Sequence, residues 1–413
     1  MMCFKCYFYL YSDDYANFVA VSLKTDIDNM KSGRKKSSPI VWMCGVAAVI
    51  LSTAILILTI TWENNSDLTF YVGTYGDSIY RYEFDPETVE FRLLAKTEAA
   101  DASYVLPVQD SEGEKVFAVS ERGAGSGAYS FRYSDTIDMT ADKRQTGADP
   151  CFVLLTGDQD SRFMMTADYS GGSISVFPVH DGIIADCSQR ICFKGNGPVP
   201  DRQESSHIHQ LKELPSSDGH KWILASDLGA DKIRLLRFED DTHILKHVSD
   251  IDCPAGSGPR HMEFSKDGNM LYCIAELSGE VLVYEMSSEN EIPAFCLVQQ
   301  IMADEADAGG SADIHIHPDG KWLYTSHRLK NDGISIFNIK EDRRLEKTGY
   351  AGTGRHPRNF MITPDGRFLL VACRDDRVIQ TFMIEKDGSL TLTPAAIMLE
   401  KDRPSSVTCV TSW

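Results

Sequence analysis

The chain reads as all-β: a seven-bladed β-propeller preceded by one N-terminal transmembrane helix. Three observations predict this. From Leu68 onward, strand-like runs and Asp-Gly turns recur with a period of about 50 residues. The first and last of these runs complement each other as strands of one blade. Before them stands Ile40 to Trp62, a run of 23 residues without a charge.

The repeat unit is an Asp-Gly turn, a basic or polar residue, an apolar strand, a polar tip and a second strand. It is plainest in HPDGKWLYTSHRLKNDGISIF from His317, TPDGRFLLVACRDDRVIQTF from Thr363 and SKDGNMLYCIAELSGEVLVY from Ser265. Looser copies begin at Ser216, Asp160 and Ser111, and LTFYVGTYGDSIYRYEF from Leu68 is the first. Counting nine places from each turn Asp or its equivalent gives Glu121, Tyr169, Asp227, Glu276, Arg328 and Arg374. Aligning FYVGTY by its strand adds Tyr75, and the gaps are 46, 48, 58, 49, 52 and 46. Such spacing, with about four short strands per unit, describes propeller blades. The helical period of 3.6 is missing, which excludes a helical solenoid. RPSSVTCV from Arg403 reads as the first strand of a blade and LTFYVGTY as a second. One blade therefore takes strands from both ends, and the ring closes without open edges.

The composition supports a large core: 43% of the 413 residues are hydrophobic and 24% are charged. Length alone suggests two or three domains, but a repeat fold overrides that prior. Most of the eleven cysteines sit in apolar runs, such as Cys273 in MLYCIAEL and Cys373 in LLVACRDD, where they read as buried free thiols. Cys187 and Cys192 are near enough in sequence to pair in an oxidising compartment. Cys3 and Cys6 lack the second pair of a zinc site. The net charge is −19, made of +2 in the first 62 residues and −21 in the rest. So acidic a surface repels phosphate backbones and argues against a nucleic-acid partner. It still allows a small anion held by local arginines.

As a helix, Ile40 to Trp62 rises about 1.5 Å per residue and crosses a bilayer core of roughly 30 Å. Trp42 and Trp62 stand at its ends, where interfacial aromatics are favoured. Lys31, Arg34, Lys35 and Lys36 precede it, and Glu63 and Asp67 follow. The basic flank stays in the cytoplasm, so the propeller is expected on the extracytoplasmic side, periplasmic or extracellular. No small-x-small cleavage pattern follows, which favours an uncleaved anchor; a cleaved signal with export is the alternative. MKSGRKKSS from Met30 is a basic lead-in to the apolar run, so Met30 is the expected start and residues 1–29 an extension of the gene model. The expected organisation is a cytoplasmic segment 1–39, a membrane anchor 40–62, a linker 63–67 and the propeller 68–413. Nothing in the sequence bears on the oligomeric state.

Equivalent positions of successive blades face the same part of a propeller's channel. The ninth-position series is therefore a ring of Tyr, Glu, Asp and Arg. Charged residues are seldom buried unpaired, so a purely structural ion-pair lining competes with a binding site. A second ring comes from the segments leading into the blades. Arg260 lies seven residues before Asp267 in GPRHMEFSKDG, and Arg358 seven before Asp365 in HPRNFMITPDG. The matching segment of the fourth unit is expanded to GNGPVPDRQESSHIHQ and offers His207 and His209, on one face if extended. The other such pair, His315 and His317, belongs to a different unit, and no carboxylate is placed to complete a zinc shell, so no metal or cofactor is expected. Histidine moves protons near neutral pH. A carboxylate between arginines stays ionised. Arginines recognise acid groups and stabilise a developing oxyanion.

Together FYVGTY, ADYSGGSISVF, DRQESSHIHQ, SDLGADKI, GPRHMEF, AELSGEV, IHIHPDGKWLYTSHR and GRHPRNFMITPDGRFLLVA resemble, in order, the seven-bladed propeller lactonase family. That family includes propeller-type 6-phosphogluconolactonases and the fungal carboxymuconate cycloisomerase. The resemblance covers nearly all of 68–413 and implies a metal-free site in the channel mouth. By motif it assigns His209, Arg260, Glu276 and Arg328 to catalysis. His207, Arg358, Tyr169, Asp227 and Glu121 complete the expected substrate-binding set from the two rings. His327 departs from the family, whose phosphogluconolactonases usually have Asn before the Arg. The anchor departs too, because 6-phosphogluconolactone is made in the cytosol. The expectation is hydrolysis of a sugar lactone or related small anionic lactone. Arg260 and Arg328 would hold the acid group or oxyanion, and His209 or Glu276 would activate water. The alternatives are a muconate-type lactone cycloisomerase and an exported, non-catalytic binding propeller.

Overall fold

A computed structural model describes residues 67–111, 113–132, 140–157, 161–215, 219–287 and 292–412. The propeller is a compact unit by itself, Asp67–Trp413. The expected anchor at 40–62 and the segments flanking it up to residue 66 lie outside the described residues. Among those described, no helix is long and apolar enough to cross a membrane.

Seven sheets follow one another along the chain. Blade 1 joins Arg403–Cys409 to Leu68–Tyr75, Ser78–Asp85 and Glu90–Glu98, so both termini do contribute to it. Phe70 pairs with Cys409 and Val72 with Val407 across that closure. Blades 2 to 7 span 102–144, 150–192, 208–252, 259–302, 311–352 and 357–398. Thr411–Ser412 adds in parallel to Ala102–Asp110, tying the C-terminus to blade 2 as well.

The apolar runs are nearly continuous because each second strand is buried on both faces. In Met270–Ala275 every residue is buried. Alternate side chains serve different neighbours. Leu271, Cys273 and Ala275 pack with Trp222 and Leu224 of blade 4, while Met270, Tyr272 and Ile274 pack with Leu323 and Phe337 of blade 6. Seven such clusters fill the seven gaps between blades. Truncating one of these residues, as in Leu271→Ala, should cost about 2–5 kcal/mol. Cys273 and Cys373 are buried free thiols, as expected. Cys187 and Cys192 are also free: Cys187 packs beside the cluster between blades 2 and 3, and Cys192 is exposed.

The Asp-Gly turns form as their chemistry dictates. Gly268, Gly320 and Gly366 take φ of 74°, 76° and 74°, a region that favours glycine. In the last of these, Asp365 accepts from the Arg367 N–H (3.1 Å) and the Thr363 hydroxyl (2.5 Å).

One irregularity positions the site. In the first strand of every blade the pairing with the second strand slips by one residue. The unpaired residue is Cys151 in blade 3, His209 in blade 4, Arg260 in blade 5 and Arg358 in blade 7. A β-bulge re-aims a side chain without breaking the sheet. In blades 3, 4 and 7 it turns Cys151, His209 and Arg358 toward the same mouth of the channel.

Candidate active site

A cavity of about 310 Å³ opens there, lined by Tyr75, Glu121, Cys151, Tyr169, Arg202, His209, Glu276, Arg328, Leu329 and Arg358. A cleft of about 510 Å³ beside Ser161, His180 and His243 is larger, but no carboxylate lines it. The mouth draws on two structural sources. Cys151, His209 and Arg358 are bulge residues of first strands. Glu121, Tyr169, Glu276 and Arg328 each directly follow the last residue of a second strand, and Tyr75 ends one.

Glu276 is the electrostatic centre. Its Oε1 accepts from Arg202 Nη2 at 2.6 Å, and its Oε2 lies 2.8 Å from Arg260 Nε and 3.3 Å from Arg328 Nη2. Burial alone would raise its pKa, but Arg328, Arg260 and Arg202 together bring it down to about 2. It is therefore a carboxylate at any physiological pH. Arg260 Nε is close to Glu276 yet makes no aligned hydrogen bond, and Arg260 Nη1 donates to the Ala312 carbonyl at 2.5 Å. Arg328 donates through Nε to the Gly310 carbonyl at 2.8 Å. Burial pulls its guanidinium down to about 9 against the opposite pull of Glu276, so it stays cationic at neutral pH.

His209 is 5% exposed. Burial, then Arg260, His261, Arg358 and Arg328, hold its pKa well below 6.5, so the imidazole is neutral. Its Nδ1 lies 3.8 Å from Cys151 Sγ, whose own proton goes to the His209 carbonyl at 3.2 Å. The ring of Tyr169 meets it edge to face at 5.6 Å. On the far wall the Tyr75 hydroxyl donates to Glu121 at 2.7 Å, and Arg358 lies 3.4 Å from Glu121 and 5.2 Å over the Tyr75 ring. Four arginines thus face two glutamates, an excess of positive charge in a strongly acidic chain.

The structure brings His209, Glu276, Arg328, Arg358, Tyr169 and Glu121 to the cavity wall, and places the buried Arg260 behind it, against Glu276. It does not bring in two expected residues. Asp227 is the last residue of Lys221–Asp227, fully buried, and holds Ser206, the His207 N–H and Arg234. The fourth unit has one residue more between its turn Asp and its strand tryptophan, Asp218 to Trp222, than the sixth has between Asp319 and Trp322. The ninth-position count therefore stops one residue short, and the ring position of blade 4 is Leu228. His207 does not share a face with His209, because the bulge breaks the alternation between them. It stacks behind Tyr169 at 4.5 Å and bonds Glu204 and the Tyr169 carbonyl. His327, between Ser311 and Thr325, is wholly buried away from the cavity.

Three contributors escaped the sequence reading. Arg202 arrives on the expanded loop before His209; an arginine in a Gly- and Pro-rich insertion was the available signal. His356, at a φ of 61°, lies 3.3 Å from Arg328 Nη1. Cys151 backs His209. Among the described residues no group of His, Cys, Asp and Glu is arranged to hold a metal.

A family model described as Lactonase, 7-bladed beta-propeller, matches residues 69–410. The chain is similar to a 6-phosphogluconolactonase of Formosa agariphila, at 32% identity over 347 residues, 80% of this chain and 96% of that one. It is similar also to the 6-phosphogluconolactonase of Bacillus subtilis, at 29% identity, covering 79% and 94%. Among solved structures, the periplasmic gluconolactonase PpgL of Pseudomonas aeruginosa aligns with a TM-score of 0.74 at 26% identity, covering 84% of this chain and 99% of that one. Motifs, blade closure and sequence relatives agree: the chain belongs to the seven-bladed β-propeller lactonase family.

Proposed function

We propose that the channel mouth hydrolyses a sugar lactone, with His209 as the base and Arg260 and Arg328 as the oxyanion and acid-group binders. The observation that carries this is a neutral, buried His209 lining the same cavity as a carboxylate fixed by three arginines. Glu276 is too weak a base to accept a proton from water. Its role is to hold Arg202, Arg260 and Arg328 in place around the reacting carbonyl. His209 takes a proton from water as the water oxygen bonds to the carbonyl carbon. The oxyanion develops beside the arginines. The ring C–O bond then breaks, and the departing oxygen takes the proton back from His209.

The excess positive charge suits a lactone bearing an acid group, and the relatives named 6-phosphogluconolactonase make 6-phosphogluconolactone the first substrate to test. The uncharged run before the propeller and its basic flank support exposure outside the cytoplasm, as does the periplasmic relative. There an unphosphorylated aldonolactone is the natural alternative. Rates of opening of both lactones, measured on one preparation with protease protection in intact cells, test substrate and location together. Failure to accelerate either lactone above its spontaneous rate would sink the proposal.

A further inference from the structure

One layer below the bulges, Gln210, His261, Asp313 and Asn359 follow one another round the channel on blades 4 to 7. Three of them fasten each blade to the next. Gln210 Oε1 accepts from the Met262 N–H (2.6 Å), Asp313 Oδ2 from the Phe360 N–H (3.2 Å) and Asn359 Oδ1 from the Val407 N–H (2.7 Å). His261 does not. The corresponding N–H of blade 6, on Ile314, goes to Asp313 Oδ1 at 3.1 Å instead. His261 is thus free of the task its neighbours perform.

Its Nδ1 lies 2.6 Å from Asp313 Oδ1. Asp313 is also met by His315 Nε2 at 3.1 Å and Asn359 Nδ2 at 2.5 Å, and His315 Nδ1 lies 3.2 Å from Glu263, which Lys212 holds at 2.6 Å. Burial would raise Asp313, but His315 and His261 hold it well below the carboxylate range. An ionised Asp313 can only accept, so Nδ1 of His261 carries the proton and Nε2 is a bare lone pair. That Nε2 is buried and has no hydrogen-bond partner. A ring's two nitrogens diverge, so it is turned away from blade 6. The His261 ring also meets the His209 ring at 5.1 Å and the Phe152 ring at 5.7 Å.

We infer that His261, anchored by Asp313, is a positioning residue whose Nε2 lone pair stabilises the imidazolium that His209 becomes during lactone opening. This rests on the proposal that His209 is the base. The need is electrostatic. Arg260, Arg358 and Arg328, and His261 whenever it is charged, oppose the protonation of His209. His261 is itself held near 4 by burial and Arg260, against Asp313, so at neutral pH it is uncharged and adds to that opposition only in acid. The charge that answers the imidazolium is the Asp313 carboxylate, acting through the intervening ring. His261 and Asp313 keep their own protonation throughout, and the proton moves only from water to His209 and on to the leaving oxygen.

The test compares full-length wild type, His261→Phe and His209→Asn on 6-phosphogluconolactone and glucono-δ-lactone, with histidine ring signals followed by NMR across the pH range. In His261→Phe, kcat at neutral pH should fall about 10–100-fold with KM unchanged, a split that a merely structural loss would not give. A normal kcat in His261→Phe, beside an inactive His209→Asn, overturns this inference alone. An active His209→Asn overturns the base assignment beneath it. If His261→Phe does not fold, the wild-type spectrum decides: His261 must be neutral with its proton on Nδ1, and a proton on Nε2 overturns the inference.

Discussion

Blades 4 and 5 each carry a buried carboxylate at the same distance from their turn Asp, and the two do different work. Asp227 is the last residue of its strand. Its partners are a hydroxyl, a backbone N–H and Arg234, all from its own blade and the loop leading into it. Glu276 stands one residue beyond its strand. Its partners are three guanidiniums from the loop before blade 4, the blade 5 bulge and the blade 6 tip. One carboxylate is saturated within a blade; the other organises cations from several blades around open space. A displacement of one residue along a strand separates a fastener from a site group. Blade 3 repeats the contrast, with Asp168 bonded to Thr166, Ser173 and Ser175 while Tyr169 faces the cavity.

The comparison can be broken most directly at the base. His209→Asn should lower kcat by about 10²–10⁴-fold, read as initial rates of lactone opening. Glu276→Gln should lower kcat/KM by about 10²–10³-fold, because the arginines lose the carboxylate that aligns them. Asp227→Asn should do the reverse. It weakens the pairing with Arg234, which keeps Asp250 at 2.7 Å, and should cost about 1–3 kcal/mol in denaturant unfolding, with turnover of the folded protein nearly unchanged. An Asp227→Asn protein that keeps its stability and loses its turnover would erase the distinction drawn here.

The pH dependence of stability sharpens it further. Glu276 titrates near 2 when folded and about 4.3 when unfolded, so its contribution is present above about 4.3 and is lost as pH falls toward 2. His315 is raised to about 10: burial opposes this, but Asp313 and Glu263 prevail. Its contribution is complete below about 6.5 and is lost as pH rises toward 10. His315→Gln should therefore flatten the alkaline side of a stability profile measured by thermal unfolding, and should flatten the acid side as well, because Asp313 and Glu263 lose a cation that holds them ionised. The smallest effect belongs to Arg202→Ala. Arg202 is more than a third exposed, and Glu276 keeps two arginines without it, so a rise in KM of about tenfold is expected.

The fold was legible because its determinants are local. Asp-Gly turns and apolar runs buried on both faces recur at a regular period, and the terminal strands announce their own pairing. Glu276, Arg328, Arg260 and Arg358 were legible for the same reason, since a position counted from a repeated turn is a position in the ring. Asp227 misled because one added residue in a turn shifts the count while leaving the strand pattern intact. The bulges were not legible at all: an unpaired residue is a property of two strands together. Arg202 and His356 come from loops that share no period. His261 and Asp313 lie in first strands, but their distinction depends on which neighbour bonds the Ile314 N–H.

In the proposed function, the arginine-clamped Glu276 and the neutral His209 make this mouth a lactonase site. The most direct measurement is the initial rate of opening of 6-phosphogluconolactone and glucono-δ-lactone by wild type and Glu276→Gln, with thermal unfolding of both as the check on folding. Acceleration of at least one lactone by the wild type and a loss of about 100-fold or more in a folded variant are expected. A folded Glu276→Gln protein that opens lactones at the wild-type rate would contradict the proposed function.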